Sequence, residues 1–429
     1  MVGVKPISRA AIIAVGSELL TPSKVDTNSL FVTEQLNLLG IEIVAKAVVG
    51  DDRAELGHVF RAMLDRVDLV AFSGGLGPTD DDVTREVVAS VLQRPLAEDE
   101  AITAQIRARF AARGLPLPMP EINRRQAMVP AGARVVANER GSAPGLWIDH
   151  GDRVVLLLPG PPRELRPMLT GLVAGGLRER APGLSMVRRV VRIVGRIESH
   201  VDEALQPLYR EWERASTPVA ATILAAFGSI ELHLSARAGS AETAGLALDA
   251  AVERAVSTLG PDVYSTDGRT LERVVGDRLV QRGLRIGVGE SCTGGLLASR
   301  LTDVPGSSRY LDQAVVAYAN EAKTALLGVP ADLIREHGAV SEPVAVAMAR
   351  GIRSRAGADI GVGVTGIAGP GGGTAEKPVG TVAIAVVTAS EERVRVFRFP
   401  GERDQVKFQA SQSALDMVRR MLEAASSRQ

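Results

Sequence analysis

The chain holds one cysteine, Cys292, among 429 residues. That excludes an intrachain disulfide framework and a cysteine-built zinc cluster, and it fits a reducing cytosol. No sign of charge is in excess either. Fifty basic and 50 acidic side chains leave a formal net charge of zero, so the basic surplus of a general nucleic-acid binder is missing. Small phosphorylated ligands stay open, because they need only a local site. Long hydrophobic runs are also absent. The apolar stretch in MVGVKPISRAAIIAVGSELL is too short to span a bilayer, no small-residue cleavage pattern follows it, and charges interrupt every later run. Neither a signal peptide nor a membrane helix is expected, and the expected location is the cytoplasm. The five histidines are scattered and none forms a Ser-His pairing. Turn formers are plentiful, with 44 Gly and 23 Pro spread along the chain.

A chain of this length exceeds what one core supports, so two or three domains are expected. Residues 11–15, 41–49, 69–73 and 154–158 are continuous Val/Ile/Leu-rich runs, and 28–39, 56–66 and 82–92 carry helical spacing. That alternation predicts a mainly parallel sheet covered on both faces. The strand at 154–158 stops at Pro159-Gly160-Pro161-Pro162. Between about 185 and 258 the pattern changes to a β-branched, arginine-rich strand, a helix at 199–210, an alternating strand at 229–237 and an Ala-rich helix at 242–259. This reads as a small α+β unit, followed by a turn-rich linker at 259–268. From 269 the α/β alternation returns, with strands at 285–289, 313–318 and 360–365. A hairpin of 381–388 with 393–399 and a last helix from Arg403 complete it.

The most informative segment is Gly289-Glu290-Ser291-Cys292-Thr293-Gly294-Gly295, read with Tyr318-Ala319-Asn320 and Lys323. A serine at a strand-to-helix turn needs a base to become a nucleophile, and a desolvated lysine on the next helix can be that base. The glycines let backbone N–H groups approach an oxyanion or a phosphate. Alone the segment could be a capped turn; with Lys323 it reads as a hydrolytic site. Cys292 invites a thiol mechanism, but a lone cysteine in such a turn is more often packing.

A second segment, Ser73-Gly74-Gly75-Leu76-Gly77-Pro78-Thr79-Asp80-Asp81-Asp82, follows a buried strand and opens a helix, which suits a phosphate. The three aspartates could hold Mg²⁺ or Mn²⁺, or could be the acids that the first turn of any helix favours. Gly16-Ser17-Glu18, Asp26-Thr27-Asn28 and Gly50-Asp51-Asp52 also follow strand ends. In an open parallel sheet such turns share one crevice, although Asp26 and Asn28 could equally cap their helix.

These motifs resemble the CinA family of competence/damage-inducible proteins. GSELL, DTNS, GDD, GGLGPTDDDVTRE, GSAPG and PGPPRE match its molybdopterin-binding-like first domain in order. The resemblance implies a divalent-metal-dependent (Mg²⁺, Mn²⁺ or Co²⁺) pyrophosphatase that cleaves ADP-ribose to AMP and ribose 5-phosphate. Gly74, Gly75, Gly77 and Thr79 would hold phosphate, and Asp52, Asp80, Asp81 and Glu18 would ligate metal or activate water. Two departures stand out: Thr21-Pro22-Ser23-Lys24 replaces a Gly-containing turn, and Ser142 replaces a threonine.

GESCTGG, YANEAK, GAVSEP, VTGIAGPGGG and KPVGTV likewise resemble the CinA C-terminal domain, a nicotinamide mononucleotide amidohydrolase that needs no cofactor. By that resemblance Ser291 attacks the carboxamide, Lys323 takes its proton, and Tyr318 relays the proton, orients the lysine or merely packs. Thr293, Gly294, Gly295, Thr365 and Gly366 would supply an oxyanion hole or phosphate contacts, and Gly369 and Gly371 belong to a loop over the ligand. Arg403 is either a phosphate partner or an ordinary surface arginine. The middle unit resembles the family's KH-like connector but lacks a GxxG loop, so nucleic-acid binding is not expected. The expected organisation is a first α/β domain at 1–172, a connector at 185–258, a linker at 259–268 and a second α/β domain at 269–429, assembled as a homodimer. The expected function is bifunctional pyridine-nucleotide salvage. The alternative is a nucleotide- or molybdopterin-binding regulatory or scaffold protein linked to competence or DNA damage.

Overall fold

The first strand, β1 (Arg9–Val15), buries everything beyond Arg9, because its alternate side chains feed two separate cores. Ala11, Ile13 and Val15 pack with Leu56 and Phe60, whereas Ala10 and Ile12 pack with Val32 and Leu36. The computed structural model describes residues 5–112, 118–226 and 228–426. It forms two compact units, Met1–Val187 with Ala236–Leu246, and Arg188–Ser235 with Ala247–Gln429.

In the first unit β1 leads through α1 (Asn28–Leu38) to β2 (Glu42–Val49), α2 (Arg53–Leu64), β3 (Leu69–Ser73) and α3 (Thr84–Val91). A short pair, β4 (Leu96–Glu98) with β5 (Met128–Pro130), flanks α4 (Glu100–Ala112). Then come β6 (Arg134–Val136), β7 (Gly145–His150), β8 (Arg153–Leu158), α5 (Pro162–Ala174) and α6 (Gly176–Glu179). The sheet order is β2-β1-β3-β8-β7-β6. Its first four strands are parallel, while β7 and β6 add an antiparallel edge. The sheet is therefore mixed. The proline-rich stop after β8 also starts a helix, since Pro162 occupies a first-turn position where its missing N–H costs nothing.

The middle of the chain gives β9 (Ser185–Ile193), α7 (Glu198–Glu213), β10 (Val219–Ala226), β11 (Ser229–Ala238), α8 (Ala241–Leu259) and β12 (Val263–Ser265), with sheet order β10-β11-β9-β12. Residues 263–265, expected to lie in a linker, instead form a strand antiparallel to β9 with Tyr264 buried. The arginines of this segment are largely ion-paired: within β9 Arg189 pairs with Asp249 and Arg192 with Glu231, and just beyond the strand Arg196 pairs with Asp262.

The remainder runs α9 (Leu271–Arg282), β13 (Ile286–Glu290), α10 (Leu296–Thr302), β14 (Leu311–Val316), α11 (Asn320–Leu327), α12 (Ala331–His337), α13 (Glu342–Ala356), β15 (Ile360–Gly366), β16 (Thr381–Val387), β17 (Glu392–Arg398) and α14 (Arg403–Ser426). In the sheet β14-β13-β15-β16-β17 the first three strands are parallel, and β16 and β17 form the expected antiparallel hairpin. The glycines of β15 explain how closely α13 lies on it. A Cβ at Gly361 would stand 2.1 Å from the Ala349 carbonyl oxygen, and one at Gly363 would stand 2.2 Å from that of Ala345. Only glycine allows that approach, which fixes the depth of the sheet end where Ser291 emerges.

Candidate functional site

In the first unit the chain leaves β3 through Gly74 (φ +103°) and Gly75 (φ +67°). Added Cβ atoms would meet the Val15 carbonyl oxygen at 2.3 Å and Thr84 Oγ1 at 2.1 Å, so the loop is folded tightly onto β1 and α3. Its carbonyls are tied inward. Thr84 Oγ1 donates to Gly74 O at 2.9 Å and Thr84 N to Gly75 O at 3.2 Å. The buried Arg85 donates to Leu76 O at 2.7 Å and to Gly77 O at 2.9 Å. Burial lowers the Arg85 pKa to about 10, which leaves it cationic at neutrality. Among the described residues the N–H groups of Gly75, Leu76 and Gly77 have no acceptor, so the loop offers donors to an anion. It lines a cavity of about 600 Å³.

Of the four expected acids, Glu18 and Asp81 line this cavity and Asp52 and Asp80 do not. Asp52 caps α2, accepting from Glu55 N at 2.8 Å, and its neighbour Asp51 faces the cavity instead. Asp80 is fully exposed and paired with Arg125 at 2.7 Å. Thr79 is also displaced from its expected phosphate role. Its amide and hydroxyl both donate to Asp82, at 3.0 and 2.6 Å, and brace the turn. Asp26 accepts from Ser29 N at 3.0 Å as a cap, whereas Asn28 donates to Gly160 O at 2.7 Å. Asp82, one of the three aspartates considered for a metal, lines the cavity, and so does Asp51 of the Gly50-Asp51-Asp52 turn, although the resemblance favours Asp52. Sequence reasoning gave no role to Arg85 or Glu164, which stand in DVTRE and PGPPRE, where the motif itself was the available signal. Among the described residues no three acidic, histidine or cysteine side chains converge as a metal cage. Hard carboxylate oxygens do fit Mg²⁺ or Mn²⁺ held by one or two protein ligands and completed by substrate phosphates. Of the expected acids Glu18 and Asp81 are placed for that, and Asp51 and Asp82 stand on the same cavity wall.

In the second unit Ser291 leaves β13 at the sheet's C-terminal end, with its N–H on Val364 O at 2.9 Å. Gly294 (φ +61°) and Gly295 (φ +91°) then turn the chain into α10. The glycines are not free donors. Glu290, 1% exposed, accepts from Gly295 N at 3.0 Å, Leu297 N at 3.2 Å and Ala298 N at 2.9 Å. Gly294 N donates to Ser291 O at 3.1 Å. Among the described residues only Cys292 and Thr293 keep turn N–H groups without a carbonyl or carboxylate acceptor. Thr365 and Gly366 are likewise engaged. The Thr365 hydroxyl donates to Ala339 O at 2.8 Å, and Gly366 still pairs with Val382.

Lys323 is 2% exposed and forms no ion pair among the described residues; its Nζ donates to Tyr318 O at 3.1 Å. Burial lowers its pKa, and the parallel pairing of β13 with β14, closed by Ala317 N on Glu290 O at 2.7 Å, starts the segment that leads to Lys323 beside the Ser291 turn. Burial pushes the Cys292 thiol up to about 12, so it is protonated packing rather than a nucleophile. Among the described residues Tyr318 makes no side-chain hydrogen bond to Lys323. Its ring is 60% exposed, and its hydroxyl accepts from Arg403 at 2.7 Å. The tyrosine orients the lysine through its carbonyl alone. Arg403 is not a loose surface group, because its other nitrogen donates to Gly369 O at 2.6 Å and ties down the loop. Gly371 lies further out on that loop with open space around it.

Comparison with known proteins bears on both sites. Residues 268–422 match the family model of the CinA C-terminal domain, and residues 11–179 match that described as "probable molybdopterin binding domain". A CinA-like protein of Koribacter versatilis is 47% identical over 417 residues, covering 96% of this chain and 99% of that one. The chain belongs to the CinA family. A CinA-like protein of Acidobacterium capsulatum is 46% identical over 417 residues, again covering 96% and 99%. Among solved structures, the competence/damage inducible protein CihA of Agrobacterium tumefaciens is 37% identical, covering 36% of this chain and 97% of that one, with a TM-score of 0.34. The CinA family chain described here has, among its described residues, no helix long and apolar enough to cross a membrane.

Proposed function

We propose that this CinA family member is a bifunctional pyridine-nucleotide hydrolase. Its C-terminal domain would convert nicotinamide mononucleotide to nicotinate mononucleotide and ammonia, and its first domain would cleave ADP-ribose to AMP and ribose 5-phosphate. The observation that carries the amidase reading is a buried lysine without an ion-pair partner beside the turn that presents Ser291. Burial disfavours the ammonium and so favours the neutral amine that a general base requires. Ser291 Oγ attacks the carboxamide carbon as Lys323 Nζ accepts the hydroxyl proton. The lysine returns that proton to the leaving nitrogen, the C–N bond breaks and ammonia departs. Water, deprotonated by the same amine, then cleaves the acyl-serine and releases the acid. The Cys292 and Thr293 N–H groups, which among the described residues meet only the Cys292 sulfur and no carbonyl or carboxylate, are the turn donors available to the tetrahedral oxyanion.

For the first domain the supporting features are the N–H groups of residues 75–77, which have no acceptor among the described residues, and the cavity carboxylates, among them Glu18, Asp51, Asp81 and Asp82. A divalent ion held there would neutralise charge on the pyrophosphate oxygens. The chain's own part is to bind the diphosphate on the glycine loop and keep the acids beside it.

Purified full-length chain tests both halves. Ser291→Ala should abolish ammonia release from nicotinamide mononucleotide and leave AMP release from ADP-ribose intact; Asp81→Ala should do the reverse. A wild-type chain that is folded yet releases no ammonia sinks the amidase reading. Pterin binding without ADP-ribose turnover would make the first domain a binding module.

A further inference from the structure

We propose that Lys407 anchors the phosphate of the nucleotide substrate beside the Ser291 turn and sets the preference for a phosphorylated over an unphosphorylated nucleoside. The proposal rests on the amidase reading above. In a strand–turn–helix site the usual anion holder is the helix N-terminus with its free N–H groups. Here that position is closed, because the carboxylate of Glu290 already accepts from Gly295, Leu297 and Ala298. A dianionic phosphate placed there would face a buried negative charge and find no free donors at those positions. Arg403 is held at the loop by bonds to Gly369 O and the Tyr318 hydroxyl, which fix its position and use two of its five N–H donors.

One helical turn further along α14 stands Lys407. An ideal Cβ built on Gly294 would lie 3.6 Å from its Nζ, so the ammonium reaches over the turn three residues beyond Ser291. Among the described residues it has no carboxylate within ion-pair distance and no hydrogen-bond acceptor. Its stem is half-buried, which limits how far the charge can swing away. Thr293 supplies a second, independent feature: the residue is fully buried, and its Oγ1 has no hydrogen-bond partner. An unpaired ammonium and an unsatisfied hydroxyl belonging to the same turn suit a phosphate monoester, for which lysine acts as a point charge. Gly294 completes the arrangement, since its left-handed backbone and missing side chain keep the approach to Lys407 open.

The test compares kcat/KM for nicotinamide mononucleotide and for nicotinamide riboside, which lacks the phosphate, in the full-length chain. Lys407→Met should lower the mononucleotide-to-riboside ratio by roughly 10- to 100-fold, as expected for one lost charge-assisted contact. The loss should fall on KM, and Lys407→Arg should recover most of it. Taking the ratio removes any general damage to folding, because both substrates share the reacting carboxamide. An unchanged ratio in Lys407→Met, or a wild-type chain that does not distinguish the two substrates, overturns the phosphate anchor while leaving the amidase standing. A wild-type chain that hydrolyses neither substrate overturns the amidase reading and the anchor with it.

Discussion

Glu290 is the residue whose removal should be felt most directly, and the change to make is Glu290→Gln. The side chain keeps its length but exchanges one acceptor oxygen for an NH₂ group. In the native turn one oxygen takes Gly295 and Leu297, and the other takes Ala298. Either orientation of the amide therefore leaves at least one buried N–H facing another donor. An unsatisfied buried donor costs about 1–3 kcal/mol, and the contacts that survive lose their charge-assisted strength. Relief of the carboxylate's own desolvation offsets part of this. The net loss is on the order of 2 kcal/mol, enough for about a 30-fold change in a local opening equilibrium. Hydrogen exchange read by mass spectrometry on peptides covering residues 291–302 should show faster exchange by about that factor, with peptides from the first domain unchanged. Wild-type protection in Glu290→Gln would show that the three N–H groups do not depend on the carboxylate. The account of the turn, and the argument that excludes phosphate from it, would then fail together.

Two further changes test the lysine and the glycine loop. Burial lowers the Lys323 pKa, so between its folded value and the ordinary value near 10.5 the unfolded chain holds the extra proton. Stability should therefore rise with pH through that window, and Lys323→Met should abolish the rise, gain stability near pH 7 and lose ammonia release. Urea midpoints at a series of pH values from about 7 up to that ordinary value measure this, and a pH dependence that Lys323→Met leaves unaltered would mean that the ammonium is not desolvated. Gly75→Ala places a Cβ 2.1 Å from Thr84 Oγ1 at φ +67°. It should cost about 2–4 kcal/mol in the first domain's unfolding transition and remove AMP release; a variant as stable as wild type would show the loop to be looser than described.

The strands were legible because a sheet covered on both faces needs unbroken apolar runs, as in residues 11–15 and 69–73, and a parallel sheet puts the turns after them in one crevice. Ser291 was legible for the same reason, since a strand end and two glycines are local signals. Residues whose roles depend on distant chain, or on one step of backbone direction, were not. Tyr318 precedes Lys323 by five residues, which suggested side-chain cooperation, yet its ring turns out toward Arg403 and only its carbonyl meets the amine. Asp51 and Asp52 differ by one position, and the cap geometry at the start of α2 sends Asp52 back onto the helix while Asp51 faces the cavity. Glu290 sat within the motif that was read, but nothing local reveals that its carboxylate lies under the N-terminus of α10. Residues 263–265 are too few for a periodicity, and their pairing with β9 could not be inferred.

The two glycine turns also explain why their ligands should be held differently. In the first unit a buried cation, Arg85, takes the loop's carbonyls from inside. With the carbonyls held inward, the N–H groups of residues 75–77 are left for a ligand, and the turn itself becomes the anion site. In the second unit a buried anion, Glu290, takes the N–H groups at the helix start. There the backbone's positive end is neutralised and any phosphate must be met by side chains, with Lys407 in reach. The sign of the buried partner thus decides which half of the peptide group faces the ligand. Gly-rich turns of similar appearance in sequence can be opposite in electrostatics, and the discriminating residue in each case lies one turn inside the loop or one residue before it. A backbone phosphate site should tolerate loss of single surface cations, whereas a side-chain site should not. On that argument the proposed amidase site, not the glycine loop of the first unit, is where a single lysine should control recognition of a phosphate.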